Sequence, residues 1–278
     1  MKIFCFGLGY TAKFLRNELS FPLSHFSGTH TSEGDLLFNG KSPLKNVATI
    51  LRDVTHLLIS TPPNSEQIDP VLYHHKADIE NMPNLKWIGY LSATSVYGDH
   101  GGAWVDETSK TLPTNKRGVL RLRAEEQWFA IDRPINIFRL GGIYGPIRNQ
   151  IEVVKNGLAK RIIKKDQVFS RIHITDICSA LKISMENPLS HKIYNLVDDK
   201  PAAPKDVLDF LCEKLALKII KGIDIDDPAV TPALRSFYQD NKRVKNNLAK
   251  SELDWQLKFP SYKEGYLDIL AKLDESQL

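Results

Sequence analysis

The sequence predicts an α/β protein: a doubly wound parallel sheet with helices on both faces and a smaller, interleaved C-terminal lobe. Three observations point there. Short apolar runs alternate with amphipathic stretches over residues 1–145. The runs are continuous rather than alternating, which is what a strand buried on both faces requires. The first run ends in a glycine-rich turn, GLGYTA, that opens directly into a helical pattern. Repeated strand–helix units cover both faces of one parallel sheet in the doubly wound arrangement.

Taken in order, Met1 to Phe6 is a short apolar strand, and KFLRNEL after the glycine turn has helical spacing. HFSGTHT (25–31) reads as a second strand and LLF (36–38) as a brief third. The linker between them, THTSEGD, is too short for a crossover helix and is expected to be a loop. VATILRDV suits a helix. THLLIST (55–61) is a buried strand stopped by Pro62 and Pro63, which have no N–H for a ladder. DPVLYHHKADIENM suits a helix, LKWIGYLSAT (85–94) a strand, residues 114–131 a helix and INIFRLGGIYG (135–145) one strand. Beyond residue 146 the pattern changes. IEVVKNGLAKRII suits a helix, RIHITDICSALKISMEN a short strand running into a helix, and KIYNLVDD (192–199) one more strand. PKDVLDFLCEKLAL and PSYKEGYLDILAKL read as helices of the smaller lobe. No internal repeat or low-complexity segment is visible.

Composition narrows the function classes. A chain of 278 residues can bury a sizeable core, as one large domain or two entangled ones. With 42% hydrophobic and 25% charged residues it reads as soluble and globular, without long disorder. The net charge of +4 is spread along the chain rather than gathered in a stripe, so no nucleic-acid partner is expected. The excess suits a phosphate-bearing small molecule. Cys5, Cys178 and Cys212 are isolated and odd in number, which fits reduced, buried thiols and no structural zinc. His74 and His75 are adjacent, so on a helix they point about 100° apart and cannot share a metal; no metal is expected. No apolar run reaches transmembrane length, and the chain opens in strand-like MKIFCFG. The expectation is a cytoplasmic protein with no membrane partner; the oligomeric state stays open.

GLGYTA matches GxGxxA through Gly7, Gly9 and Ala12, between a strand and a helix, the context in which that spacing has a mechanism. The first glycine allows a tight turn, the second lets a pyrophosphate approach the backbone, and Ala12 lets helix and strand pack closely. The helix start then offers free N–H groups to phosphate. Gly7, Leu8, Gly9, Tyr10, Thr11 and Ala12 are therefore the expected dinucleotide loop of a Rossmann sheet. The alternative is a glycine turn that survives without its ligand. At the end of the second strand NAD sites place an acid and NADP sites often an arginine. Here Thr29, His30, Thr31 and Ser32 follow Gly28, and the nearest acid, Glu33, comes late. NADP is slightly favoured over NAD. Thr61 and Pro62, ending the strand at 55–61, complete the expected cofactor contacts.

Four further stretches then fall in a telling order: SATSVYGD (92–99), IFRLGGIYGP (137–146), RIHITDI (171–177) and YNLVDD (194–199), with LDWQLKFPSYKEG near the end. Together with the glycine loop they resemble the extended short-chain dehydrogenase/reductase superfamily, the NAD(P)-dependent epimerase/dehydratase group. The likeness is to its atypical members with a short second crossover, and it spans nearly the whole chain. The resemblance implies that residues 1–146 plus 171–197 form an NAD(P)-binding Rossmann domain. Residues 147–170 plus 198–278 would build the substrate lobe. It implies a reductase, epimerase or dehydratase acting on a nucleotide-sugar or another phosphorylated or nucleotide-linked anion.

In that family a Ser or Thr precedes the Tyr of the YG pair by four residues, and a YxxxK helix supplies the acid/base tyrosine and its lysine. Aligning YG on Tyr97-Gly98 puts Ala93 at the Ser/Thr position. Aligning the helix on Ala124-Glu125 puts Arg117 at the tyrosine and Arg121 at the lysine. A one-residue slip substitutes Gly118 and Leu122 and restores nothing. The resemblance therefore implies the family's catalytic helix without its usual triad. Arg117, Arg121 and Glu125 recur every four residues, roughly on one face. Two readings stand: a solvated face with an Arg121–Glu125 pair, or fixed cations in the cleft. In the second, Arg121 meets the cofactor, and Arg117 with Tyr144 meets an anionic substrate. An arginine binds anions but is no general base near neutral pH. Tyr97, Ser92, Thr94 and Ser95 are the candidate substitute catalytic hydroxyls. Arg139 is expected to order the loop below, and His173 and Asp176, in the family's IHxxD element, to be structural. The competing function is a non-catalytic dinucleotide-binding regulator or sensor.

Overall fold

The structure is a computed structural model, and it describes residues 1–19, 22, 25–32, 34 and 36–275. β1 (Ile3–Phe6) runs through the glycine turn into α1 (Tyr10–Glu18). Next come β2 (Phe26–Gly28), α2 (Val47–Leu51), β3 (His56–Ile59), α3 (Pro70–Glu80) and β4 (Trp87–Ala93). A 3-10 turn (Thr94–Tyr97), β5 (Trp104–Val105), α4 (Lys116–Phe129) and β6 (Ile135–Leu140) follow. Then come β7 (Gly142–Tyr144), α5 (Ile151–Lys155), β8 (Arg161–Ile163), β9 (Arg171–His173), α6 (Ile174–Glu186) and β10 (Lys192–Leu196). The chain continues with α7 (Pro204–Lys214), β11 (Gly222–Asp224), α8 (Pro232–Ser236), β12 (Arg243–Val244), α9 (Asn247–Leu253) and α10 (Tyr262–Glu275).

The central sheet is parallel and six-stranded, in the order β10-β6-β4-β3-β1-β2. Its strands are apolar throughout because alternate residues feed two separate cores. Ile3 and Cys5 join one with α1 and α6, while Phe4 and Phe6 join the other with α2, α3 and α4. Trp87 and Leu91 against Ile88 and Tyr90 repeat the alternation in β4. Each such fully buried large side chain contributes about 1.5–3 kcal/mol relative to exposure. β1 has β2 on one side and β3 on the other, so the winding direction reverses there. That opens a crevice beyond the carboxyl ends of β1 and β3, where this architecture binds ligands.

The fold class is as the sequence predicts; several elements differ. LLF contributes a single parallel bridge, His30 to Leu37. In the THTSEGD linker, Glu33 and Asp35 lie outside the described residues. The strand expected over 135–145 breaks after Leu140: β6 stays in the main sheet, and β7 leaves it to pair with β9. IEVVKNGLAKRII is not one helix. α5 stops at Lys155, Gly157 turns with φ +67°, and RII becomes β8, paired with β11. The smaller lobe has its own core of Tyr144, Ile151 and Val154 against α7 and α10. Residues 247–257, expected in that lobe, pack instead on the sheet layer: Ala249, Leu253 and Trp255 join α1 and α6. All three cysteines are free and buried. Among the described residues no helix is long and apolar enough to cross a membrane.

Candidate functional site

The glycine loop is built from below. Gly7 has φ +92°, and a Cβ there would sit 3.0 Å from the Thr61 amide nitrogen, so both conformation and space call for glycine. Its N–H donates to Thr29 Oγ1 at 2.9 Å, and the Leu8 N–H donates to the Thr29 carbonyl at 2.8 Å. Thr29 is fully buried, so it shapes the loop with the hydroxyl that was expected to meet the cofactor. Gly9 stands immediately before α1 with an extended backbone, and a Cβ placed on it meets nothing within 4 Å. Among the described residues no side chain caps α1, and its first-turn amides have no intrahelical partner. Ala12 is buried against the sheet, Thr11 is buried, and Tyr10 is half-buried. Thr61 Oγ1 is buried beneath the loop without a partner among the described residues, and Pro62 is exposed beside it. His30 is half-buried and Thr31 exposed beyond β2.

α4 forms the next wall. Asn115 Oδ1 accepts from the Gly118 N–H at 3.0 Å and starts the helix. Gly118 then lies flush against the 3-10 turn: its Cβ would be 2.7 Å from the Ser95 carbonyl oxygen and 2.9 Å from Pro113 Cβ. Arg117, beside it, is exposed and makes no ion pair or hydrogen bond with the described residues. Arg121 is half-buried. Its Nη1 donates to the Leu91 carbonyl at 2.9 Å and to Tyr90 Oη at 3.1 Å, with the guanidinium 5.7 Å from the Tyr90 ring centre.

The third member of that face turns inward. Glu125 is buried and pairs with Arg139 of β6, Oε2 to Nη2 at 2.7 Å, so the Arg121–Glu125 pair of the solvated-face reading does not form. Arg139 Nη1 donates to Tyr97 Oη at 3.0 Å, and Tyr97 Oη donates to Asn195 Oδ1 at 2.8 Å. Ser92 Oγ donates to Glu125 Oε1. Asn195 also donates from its backbone N–H to Glu107 Oε1 at 2.7 Å. One network thus ties β4, β6, β10, α4 and the 3-10 turn. A buried ion pair needs such extra hydrogen bonds to offset its desolvation. Burial pushes the Tyr97 phenol up to about 12, against the opposing pull of Arg139.

This departs from the catalytic role expected of Ser92 and Tyr97, whose hydroxyls are spent inside the fold. Thr94 and Ser95 remain partly exposed in the turn. Tyr144 departs from its expected place at the substrate: it is buried in the lobe core. Its ring stacks on Tyr266 with centres 5.3 Å apart, and its hydroxyl donates to the Ser261 carbonyl at 3.3 Å. His173 Nδ1 caps α6 by accepting from the Thr175 N–H at 3.3 Å. Asp176 accepts from the Lys258 N–H at 2.7 Å and the Phe259 N–H at 3.2 Å; both residues hold the fold, as expected. Sequence reasoning missed Glu125 as the partner of Arg139, and Asn195 as the partner of Tyr97 beside it. The available signal was an arginine inside a continuous apolar strand, which needs a buried counter-charge.

No protein-family model matches this chain, and no curated protein matches it. Solved structures do. A functionally unknown conserved protein from Silicibacter pomeroyi DSS is 41% identical over 98% of each chain, with a TM-score of 0.89. A UDP-glucuronic acid 4-epimerase from Bacillus cereus, in complex with UDP-glucuronic acid and NAD, is 16% identical; the match covers 98% of this chain and all of that one (TM-score 0.75). A dTDP-glucose 4,6-dehydratase from Streptomyces venezuelae, with NAD bound, is 12% identical over 100% of this chain and 98% of that one (TM-score 0.77). At these last two identities the likeness is one of fold.

Proposed function

Since this chain belongs to the same family as the conserved Silicibacter pomeroyi protein and has the fold of the NAD-dependent epimerases and dehydratases, we propose that it binds a nicotinamide dinucleotide over Gly7–Ala12 and a phosphorylated or nucleotide-linked small molecule beside α4. The observation that carries this reading is Gly9, whose missing side chain leaves open space at an uncapped helix start. The partnerless hydroxyl of Thr61 beneath the loop also fits a polar ligand there. Thr31 and Ser32 are exposed where the adenine ribose would come, and no acid stands between Gly28 and Ser32, which favours NADP slightly over NAD. Residues 1–146 plus 171–197 are the dinucleotide domain in this reading. Residues 147–170 plus 198–278 form the substrate lobe, with 247–257 packed back onto the sheet.

The bound dinucleotide would supply hydride exchange. The chain's own groups bind and orient. Arg121, anchored at the end of β4, faces the cofactor as a fixed cation, and Arg117 one turn earlier is free to take a substrate anion. Neither moves a proton at neutral pH. Of the four candidate hydroxyls, Thr94 and Ser95 keep some exposure, which supports them as the ones to hold a substrate oxygen. A second reading, a dinucleotide-binding regulator or sensor, is favoured by the sealing of Ser92 and Tyr97 inside the Arg139 network.

Calorimetry with NAD and NADP, oxidised and reduced, tests the first step. Binding by wild type, lost in Gly9→Val at an unchanged melting temperature, supports it. No heat and no thermal stabilisation at millimolar cofactor would end it. A panel of nucleotide-sugars and simple carbonyls, followed by NAD(P)H absorbance and by product chromatography, separates enzyme from sensor.

A further inference from the structure

We propose that Arg148 binds the ligand's pyrophosphate, presented to the start of α1 by a braced loop, Gly145–Asn149. The inference rests on the dinucleotide reading above and adds a residue from outside the glycine motif.

The loop is held from three sides. The Gly145 N–H donates to the Arg148 carbonyl at 2.9 Å, and the Arg148 N–H donates back to the Gly145 carbonyl at 3.1 Å. Asn149 Nδ2 donates to the Gly145 and Pro146 carbonyls at 3.1 and 2.8 Å, while its Oδ1 accepts from the Ile151 N–H at 3.0 Å. Gly145 is wedged: a Cβ there would lie 2.5 Å from Ile174 Cγ2 and 2.7 Å from Tyr10 Oη. Ile174 is the first residue of α6, and Tyr10 is the first residue of α1, next to Gly9. The Tyr10 ring therefore pins this loop beside the cradle.

What the loop offers is left unused by the protein. Arg148 is exposed and makes no side-chain hydrogen bond or ion pair with the described residues, whose contacts Asn149 and the backbone carry instead. Its guanidinium is close enough to Tyr10 to be the largest influence opposing the rise that burial imposes on that phenol. Ile147, beside Arg148, is 86% exposed, the barest large apolar side chain among the described residues. A rigid loop that holds out a free guanidinium and a bare aliphatic group suits a ligand with a phosphate next to a flat ring. Of the two helix starts it touches, that of α1 follows the glycine loop.

The test is calorimetry of NAD, NADP and ADP-ribose with wild type, Arg148→Gln and Arg148→Lys. Arg148→Gln is expected to weaken all three about tenfold, as loss of one charge-assisted contact does, at an unchanged melting temperature. Arg148→Lys recovers part of the affinity, since a point charge still meets phosphate. Added salt weakens wild type more than Arg148→Gln. Equal affinity of Arg148→Gln and wild type for all three ligands overturns the inference alone. A loss confined to NADP moves Arg148 to the 2′-phosphate and overturns the pyrophosphate assignment. Wild type that binds none of the three overturns the dinucleotide reading and this inference with it.

Discussion

Gly7 and Gly9 look alike in the sequence and do opposite jobs. Gly7 turns with φ +92° against the Thr61 amide, so Gly7→Ala strains the fold itself. Its expected cost is about 1–3 kcal/mol, read as a lowered denaturation midpoint. Gly9 has an extended backbone and open space around it, so Gly9→Val leaves that midpoint alone and removes dinucleotide binding. Equal destabilisation by both would mean that the loop is structural only. Tyr97 gives a second residue-scale contrast. Tyr97→Phe leaves Asn195 Oδ1 and Arg139 Nη1 short of a partner in a buried place. We expect a stability loss of about 1–3 kcal/mol with any turnover retained. Turnover lost at unchanged stability would restore Tyr97 as a catalytic hydroxyl.

At the scale of elements, α4 shows how a helix can be read correctly and its face misread. The cap, the length and the four-residue spacing are local and were legible. Which of its three charged residues would be solvated was not, because Glu125 finds its partner on β6. Gly118 carries a related lesson. In a helix, Gly→Ala ordinarily gains about 1 kcal/mol from propensity. Here the added methyl meets the Ser95 carbonyl and Pro113, and overpacking costs about 1–3 kcal/mol. Gly118→Ala should therefore destabilise by about 1 kcal/mol, measured by chemical denaturation. A stabilised variant would show that α4 and the 3-10 turn are further apart. The short strands β5, β11 and β12, two or three residues each, left no periodicity to read. They exist because distant segments pair. The break between β6 and β7 is of the same kind: an apolar run continues, but the pairing partner changes from β4 to β9.

The whole molecule carries a pH dependence that follows from where the lobe joins the sheet. Asp198 follows β10, is 1% exposed, and has one carboxylate oxygen without a partner among the described residues. Burial pushes its carboxyl up to about 8, with Arg171 pulling the other way. In the unfolded chain an aspartate titrates near about 4. The folded state therefore holds this proton more tightly, and the stability so gained is complete below about pH 4 and lost as pH rises through about 8. Denaturation at pH 5 and pH 8.5 should show a fall that Asp198→Asn reduces; an identical fall in the variant would assign it elsewhere. The sequence by itself determined the sheet and its direction, the glycine loop with its helix, and the buried thiols. All of these are set by neighbours in the chain or by which residues avoid water. Only the tertiary structure decided that Thr29, Ser92, Tyr97, Glu125 and Tyr144 turn inward while Arg117 and Arg148 stay exposed. A polar side chain's role depends on the partner that folding brings to it, and those partners come from strands and helices many residues away.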